Sequence, residues 1–539
     1  MSSPCSAEVT RPRRHDLDAL RAVAMLLGIL LHSLMSFLPG AAAVWPVQDA
    51  AANWPFAILL AAIHGWRMPL FFLISGYFTA MLWQQRGLQE LLSNRARRIV
   101  LPLAAGMLTI VPLMGLTIFL LDGRLPSARG NGIFTAVVSN DLRSVNQYIE
   151  AGKDLNVRDN YGSTPLHVAC FLGRVEAASM LLAADASRDA RNNDGLTAAQ
   201  LLDIDWQTTA AIGTALRLKL QQQELSLQRE QIRALFFGET PLVVDEGVIS
   251  AESSTEQFHA GRFDPFSTPV FHHLWFLWFL CWLVPLSVIL KMIASAAGLS
   301  CISRSAADSS SYLLWLLAVT GFSLLLMGRG PESFGPATSL GLLPLPAVLL
   351  FYGVFFAFGM TEYEMPGGGL AGANRPFLCI GCSCFVLFPV ALILRSNPSL
   401  AVRVLCCMCE AAYAWGMSLG LIGLFRKHFC CHDFRWRYLA DSSYWLYFSH
   451  IPLVWLLQSA VSRSPLPALL KLACVCSLTT LLLLLQYHYT VRSTWLGAFL
   501  NGRKLPVIPL RQLFSRTSSR KQLLQTDEAG IRADNTDRE

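Results

Sequence analysis

Charge is scarce in this sequence. Of 539 residues only 15% are Asp, Glu, Lys or Arg, where a soluble globular chain carries about a quarter. With 53% hydrophobic residues and a mean hydropathy of +0.43, many side chains need an apolar solvent rather than a core. The bilayer is that solvent, because about 20 apolar residues span its hydrocarbon layer. Also missing is a basic face on a folded domain. The formal net charge of +7 gathers in tails and loops, which argues against nucleic acid as a partner. A third absence is a second CxxC pair. Cys379 and Cys382 have that spacing, but most of the 14 cysteines lie in or beside apolar runs and behave as small hydrophobes, so no metal site is expected. Nor does the N-terminus read as a cleavable signal peptide. The first apolar run begins near Leu17, is long, carries polar residues through its middle and reads as a retained helix.

What is present is a series of apolar runs. Ten candidate spans cover approximately 17–38, 56–82, 100–121, 271–294, 311–328, 341–360, 377–395, 401–424, 442–461 and 467–487. Lys and Arg mark orientation. Arg11, Arg13 and Arg14 precede the first span; Arg86, Arg95, Arg97 and Arg98 follow the second. Arg426, Lys427, Arg435 and Arg437 precede the ninth, and Arg503, Lys504, Arg511, Arg516, Arg520 and Lys521 follow the tenth. With ten spans all four segments share one side, the cytoplasm by the positive-inside rule, so both termini are expected there. The last 35 or so residues are polar and expected to be disordered.

Between the third and fourth spans lies a polar stretch of about 150 residues. Asp159, Gly162, Thr164, Pro165, Leu166, His167 and Ala169, then Gly173 and Leu181-Leu182, closely resemble the ankyrin repeat. Gly195 and Thr197 restart the pattern 33 residues after Gly162 and Thr164, the ankyrin period. A weaker preceding unit shows in Ala136, Asp141, Val145, Gly152, Asn156 and Asp159. Thr164 is placed to cap a helix opened by Pro165 in its first turn, and His167 reads as a structural hydrogen-bonder. Three repeats are near the minimum for a stable stack, so the Gln/Glu/Arg-rich segment around 213–235 is expected to cap it. Counting spans places this insert outside the cytoplasm.

The first span, HDLDALRAVAMLLGILLHSLMSF, holds Asp18 and Arg21 at its cytoplasmic end and His32 deep in apolar sequence. An ionisable residue inside a membrane helix is costly and marks function by default. Arg21 and His32 are eleven residues apart, about three turns, so they share a face. A charged anchor at the membrane edge and an imidazole further in would suit an anionic substrate reaching a buried base. The alternative is a helix-packing hydrogen bond by His32. Arg95 and Arg98 are guanidinium forks at the cytoplasmic face, and their plain reading is positive-inside topology. Ser75 and Gly76 permit close helix approach or line a substrate path. His273, His64 and Arg67 are candidates for the mouth of a substrate path, or interfacial anchors. Glu410 is unusual inside the eighth span and has no assigned role.

Five ordered motifs carry a family resemblance: LDALRAVAMLLGILLH, RMPLFFLISGYF at 67–78 with RARRIVLPL at 95–103, HHLWFLWFL at 272–280, and DSSYWLYFSHIPLV at 441–454. They resemble the acyltransferase-3 membrane family and cover the chain except for insert and tails. The resemblance implies transfer of an acyl group, of acetyl or succinyl type, from a cytoplasmic donor such as acyl-CoA to a carbohydrate hydroxyl. It maps the family's Arg-x10-His element onto Arg21 and His32, its RxxR element onto Arg95 and Arg98, and its SYWLY-x-x-H pattern onto His450. Catalytic roles are thus expected of His32, Arg21 and His450, donor binding of Arg95 and Arg98, and a substrate path past Asp18, Ser75, His273 and Arg67. A neutral imidazole with a pKa of about 6.5 can take a hydroxyl proton as attack proceeds.

The expected architecture is all-α: a polytopic membrane bundle of about ten helices with an inserted α-helical ankyrin-repeat domain. Its divisions are a cytoplasmic tail over 1–16, three membrane helices over 17–129, the ankyrin insert with its capping helix over 130–236, a linker over 237–270, seven membrane helices over 271–500 and a disordered tail over 501–539. The expected location is a bacterial cytoplasmic membrane. The expected partners are the bilayer, a glycan or lipid-linked glycan acceptor, and a protein bound by the ankyrin stack. No tightly bound cofactor is expected beyond acyl-CoA as co-substrate. A glycan exporter using the same bundle, or a membrane-anchored ankyrin interaction protein, are the competing functions.

Overall fold

A computed structural model describes residues 14–38, 45–49, 51–122, 132–138, 140–159, 162–193, 195–206, 209, 221–237, 265–266, 268–298, 310–328, 334–365, 373–395, 397, 399–430, 433–462, 464–502 and 504–506. Arg11, Arg13, most of the linker, Arg503 and the remainder of the C-terminal tail lie outside them.

The membrane part is built of α1 (His15–Leu34), α2 (Trp54–Arg95) and α3 (Leu101–Asp122) before the insert. After it come α9 (Trp275–Ala296), α10 (Ser310–Leu326), α11 (Pro346–Glu364) and α12 (Pro376–Leu394, with a π-helical turn over Ser383–Leu387). The last four are α13 (Leu400–His428), α14 (Phe434–Ser462), α15 (Ala468–Gln486) and the short α16 (Trp495–Asn501). The insert contributes α4 (Gly132–Val138), α5 (Leu142–Glu150), α6 (Pro165–Phe171), α7 (Val175–Ala183) and α8 (Gln222–Phe237).

Helices occupy all ten expected positions, but the count of ten crossings is not established. Among the described residues seven helical stretches are long and apolar enough to cross a membrane. The second and third expected spans run on as one stretch, Trp54–Leu121; Ser311–Leu326 is short. α14 is long enough but buries Ser442, Ser443, His450 and Gln458, which lower its hydropathy. Side chains such as Phe119, Phe385, Ile393 and Leu469 are more than two-thirds exposed on these helices, as lipid-facing residues are. The protein is a multi-pass membrane protein.

Glycine shapes the bundle at two places. Gly87 has φ 79° and breaks α2. A straight helix would set Thr79 and Arg95 about 24 Å apart, yet Arg95 Nη2 donates to Thr79 Oγ1 at 2.8 Å. The chain has therefore doubled back at Gly87, and α3 then carries it about 33 Å from the Arg95–Arg98 turn to the insert. Elsewhere, a Cβ at Gly76 of α2 would strike the Phe356 carbonyl of α11, and one at Gly359 would strike the Leu73 carbonyl. These reciprocal contacts are the close helix approach expected around Ser75 and Gly76.

The insert has its own core of Ile133, Val137, Val145, Leu166, Ala169, Leu181 and Ile232. The 33-residue period is visible bond by bond. The Asp159 carboxylate accepts from Ser163 N at 2.8 Å, and the Asn192 amide oxygen from Leu196 N at 2.9 Å. Gly162 and Gly195, both at positive φ, close the two turns. Thr164 and His167 form a reciprocal cap: the Thr164 amide donates to His167 Nδ1 at 3.2 Å, so Nε2 carries the proton and donates to the Leu196 carbonyl at 3.1 Å. His167 thereby ties one repeat to the next, as a structural residue. Helix α8 covers the stack's end, where Arg229 donates to the carbonyls of Ile204 and Phe171 at 2.8 and 2.7 Å.

Candidate functional site

Helices α1, α2, α9 and α14 enclose a cavity of about 470 Å³. Its wall includes Arg21, His32, Arg67, Ser75, Arg95, Arg98, His273 and His450, eight of the nine residues expected to serve catalysis, donor binding or the substrate path. The ninth, Asp18, is not in the wall but lies 3.8 Å from Arg21, one turn earlier on α1. His64 is also outside it: its ring contacts the Pro336 carbonyl at 2.9 Å and holds the 334–340 segment. Glu410 is buried in α13 beside Cys406, away from the cavity lining.

The cavity has two chemically different ends. At one, Arg21, Arg86, Arg95 and Arg98 join Asn94 and Asn501. Arg95 reaches it because the chain reverses at Gly87, and the Tyr444 hydroxyl pins the next turn by donating to the Arg98 carbonyl at 2.9 Å. At the other end, about 16 Å further along α1, stand three histidines and Arg67. Among the described residues no Asp or Glu lines the cavity. Such a space favours an anionic ligand with phosphate-like groups at the arginine end.

The histidine end is ordered by hydrogen bonds. His32 Nδ1 and His450 Nε2 are 2.8 Å apart. His450 Nδ1 lies 3.0 and 2.9 Å from the Leu446 and Tyr447 carbonyls. A carbonyl only accepts, so His450 Nδ1 carries the proton and its Nε2 accepts from His32 Nδ1. In neutral His32 this leaves the Nε2 lone pair, which has no partner among the described residues. His273 stands edge-on to His450, ring centroids 5.6 Å apart. Its Nε2 donates to the Phe448 carbonyl at 3.2 Å, while the Tyr447 hydroxyl donates to the His273 carbonyl at 2.9 Å. His273 is thus part of the cavity wall, packed on α14.

Further residues brace this end that the sequence did not single out. The segment between α1 and α2 lays Trp45 parallel to His32, centroids 5.9 Å apart and planes within 1°. Trp45 Nε1 donates to Gln458 Oε1 at 2.8 Å, and Gln458 Nε2 donates to the Ser33 carbonyl at 3.0 Å. Four residues from Trp45, Asp49 is buried against Lys471 of α15 at 2.9 Å. A polar Gln458 and a Lys471 inside apolar helices were the available signals; Trp45 gave none, since its hydrogen-bond partner Gln458 is 413 residues away.

Comparison with known proteins matches the first three helices and the insert. Residues 14–124 match the family model of the acyltransferase domain, and residues 133–201 that of ankyrin repeats in three copies. Over 115 residues the chain is 37% identical to the Glucans biosynthesis protein C of Salmonella schwarzengrund (strain CVM19633) and to that of Salmonella typhi. It is 36% identical to that of Salmonella agona (strain SL483) over the same length. The aligned stretch is 21% of this chain and spans 28% of the length of each relative. No solved structure matches. The acyltransferase match thus ends at the third helix, just before the ankyrin repeats, and His273 and His450 lie beyond it.

Proposed function

We propose that this chain, whose first three helices match the acyltransferase domain, is a membrane-bound O-acyltransferase that moves an acyl group from acyl-CoA to a glycan hydroxyl. The observation that carries it is the His32–His450 hydrogen bond at the head of an arginine-lined cavity. The relatives' name, which refers to glucan biosynthesis, makes a glucan the first acceptor to test, and the ankyrin stack is a platform for a protein partner.

A hydroxyl is a poor nucleophile at neutral pH and needs a base as attack proceeds. His32 Nε2 serves as that base. His450 fixes the tautomer from behind, as the orienting member of a catalytic triad does. Arg95 and Arg98, with Arg21 and Arg86, hold the donor's phosphates by charge-assisted hydrogen bonds. The thioester then reaches along the cavity past Ser75 toward His32, and His273 and Tyr447 shape the acceptor's approach. Trp45 and Gln458 keep the His32 ring in place.

Mass spectrometry of surface and periplasmic glycans tests this in a deletion strain complemented with wild type or with His32→Ala. An ester mass restored by wild type but not by His32→Ala is the expected result. Unchanged acylation in the deletion strain refutes it. Loss of the whole external glycan in the deletion strain, restored by His32→Ala, would instead favour export.

A further inference from the structure

We propose, building on the acyl-transfer reading, that Arg67 is the catalytic group that holds the oxyanion formed at the acyl carbonyl. Arg67 projects from α2 into the histidine end of the cavity. It lies within electrostatic reach of both His32 and His450. Its guanidinium makes no ion pair or hydrogen bond with any described residue, and its Nε is buried without a partner. Among the described residues no carboxylate in the cavity wall neutralises it. A cation held this way is costly until an anion arrives, so its contribution is largest when negative charge develops beside it.

Its position is built rather than incidental. Gly28 lies one turn before His32 on α1, and a Cβ there would overlap Arg67 Nη1. The glycine lets the guanidinium lie against α1, next to the turn that carries the base. On α2, Trp66, Met68, Pro69 and Leu70 around Arg67 are buried, and a Cβ at Gly65 would meet Phe334 and Tyr413. The stem therefore leaves a fixed helix, as preorganised electrostatic stabilisation requires.

In the step, the acceptor hydroxyl gives its proton to His32 Nε2 while its oxygen bonds to the thioester carbon. The carbonyl pair moves onto oxygen, where Arg67 holds the charge. The pair then returns, the C–S bond breaks, and the departing thiolate takes the proton from the His32 imidazolium. Ester and free thiol are the products.

The test uses full-length protein in proteoliposomes, acetyl-CoA and succinyl-CoA as donors, and glucose oligomers as acceptor. Thiol release and ester mass are the readouts. Arg67→Gln should lower kcat about 10²–10³-fold for both donors, with KM unchanged. Gly28→Ala should lower kcat in the same sense, and methylguanidinium should restore part of the activity of Arg67→Ala. Full kcat in Arg67→Gln overturns the assignment. So does a rise in KM confined to succinyl-CoA, which would make Arg67 an anchor for a carboxylate on the acyl chain. If Arg67→Gln does not fold, an active Gly28→Ala together with an unrescued Arg67→Ala is the refuting result. A wild type silent with both donors refutes acyl transfer itself, and the Arg67 role with it.

Discussion

Lys471 and Asp49 join α15 to the segment carrying Trp45, with side chains 6% and 2% exposed and 2.9 Å apart. Coulomb's law at that distance, with an effective dielectric of about 20, gives about 6 kcal/mol of attraction. Desolvation offsets much of it, so the intact pair has little net value against an apolar pair of similar shape. Lys471→Met leaves the Asp49 carboxylate buried without a counter-ion, with a bond from Ala51 N at 2.9 Å in its own segment. Breaking one side of such a pair costs about 3–5 kcal/mol. Asp49→Leu should cost a similar amount, and the double variant should recover most of it. Thermal unfolding of detergent-solubilised protein, followed by tryptophan fluorescence, measures all four corners of the cycle. Because Trp45 stacks on His32, the single variants should also expose the 45–49 segment to protease before the bundle melts. A single variant as stable as wild type, or a double variant no better than the singles, refutes the reasoning.

Three further outcomes follow from the site and the insert. His450→Gln should slow transfer less than His32→Ala, whose loss as a base is about 10²–10⁴-fold. The double variant should be no worse than His32→Ala alone, because the two act as a unit; additive losses in single-turnover assays would argue against an orienting role. Arg95→Gln and Arg98→Gln should each raise KM for acyl-CoA about 10–100-fold, the value of a charged hydrogen bond, and leave KM for an acyl-pantetheine, which lacks the nucleotide phosphates, unchanged. In the insert, burial holds His167 below its ordinary value of 6.5, against the raising effect of its bond to the Leu196 carbonyl. The unfolded repeat takes up a proton near 6.5 while the folded one does so only at lower pH, so the unfolded state binds more protons between the two values. Stability of the stack is full above 6.5 and falls as pH drops through the folded value. Hydrogen exchange of α6 in the whole protein, corrected for intrinsic rates, should show this loss, and His167→Gln should flatten it.

The sequence by itself determined the helical class, the position of the insert and the histidines and most of the arginines of the cavity wall. Long apolar runs have one stable solution in lipid, because every backbone group must be satisfied inside the segment. The 33-residue ankyrin spacing survives as the paired turns at Gly162 and Gly195 for the same local reason: each unit's turn is made by its own side chains. Ionisable residues inside apolar runs are rare enough to stand out, which is how His32 was found; the family resemblance pointed to His450, and Arg67 was a candidate for a substrate mouth. Hydropathy alone could not number the crossings, since α14 hides its polar face inside the bundle and α2 runs beyond the length a bilayer needs. Only tertiary structure decided which residues meet. It reversed the chain at Gly87 and brought Arg95 back to Thr79. It set His450 against His32, 418 residues away, with Trp45 and Gln458 as the brace, and sent His64 and Glu410 elsewhere. Those pairings depend on where helices cross, and crossings are chosen by side-chain fit along whole helix faces, at Gly28, Gly76 and Gly359 above all, which no single run of sequence contains.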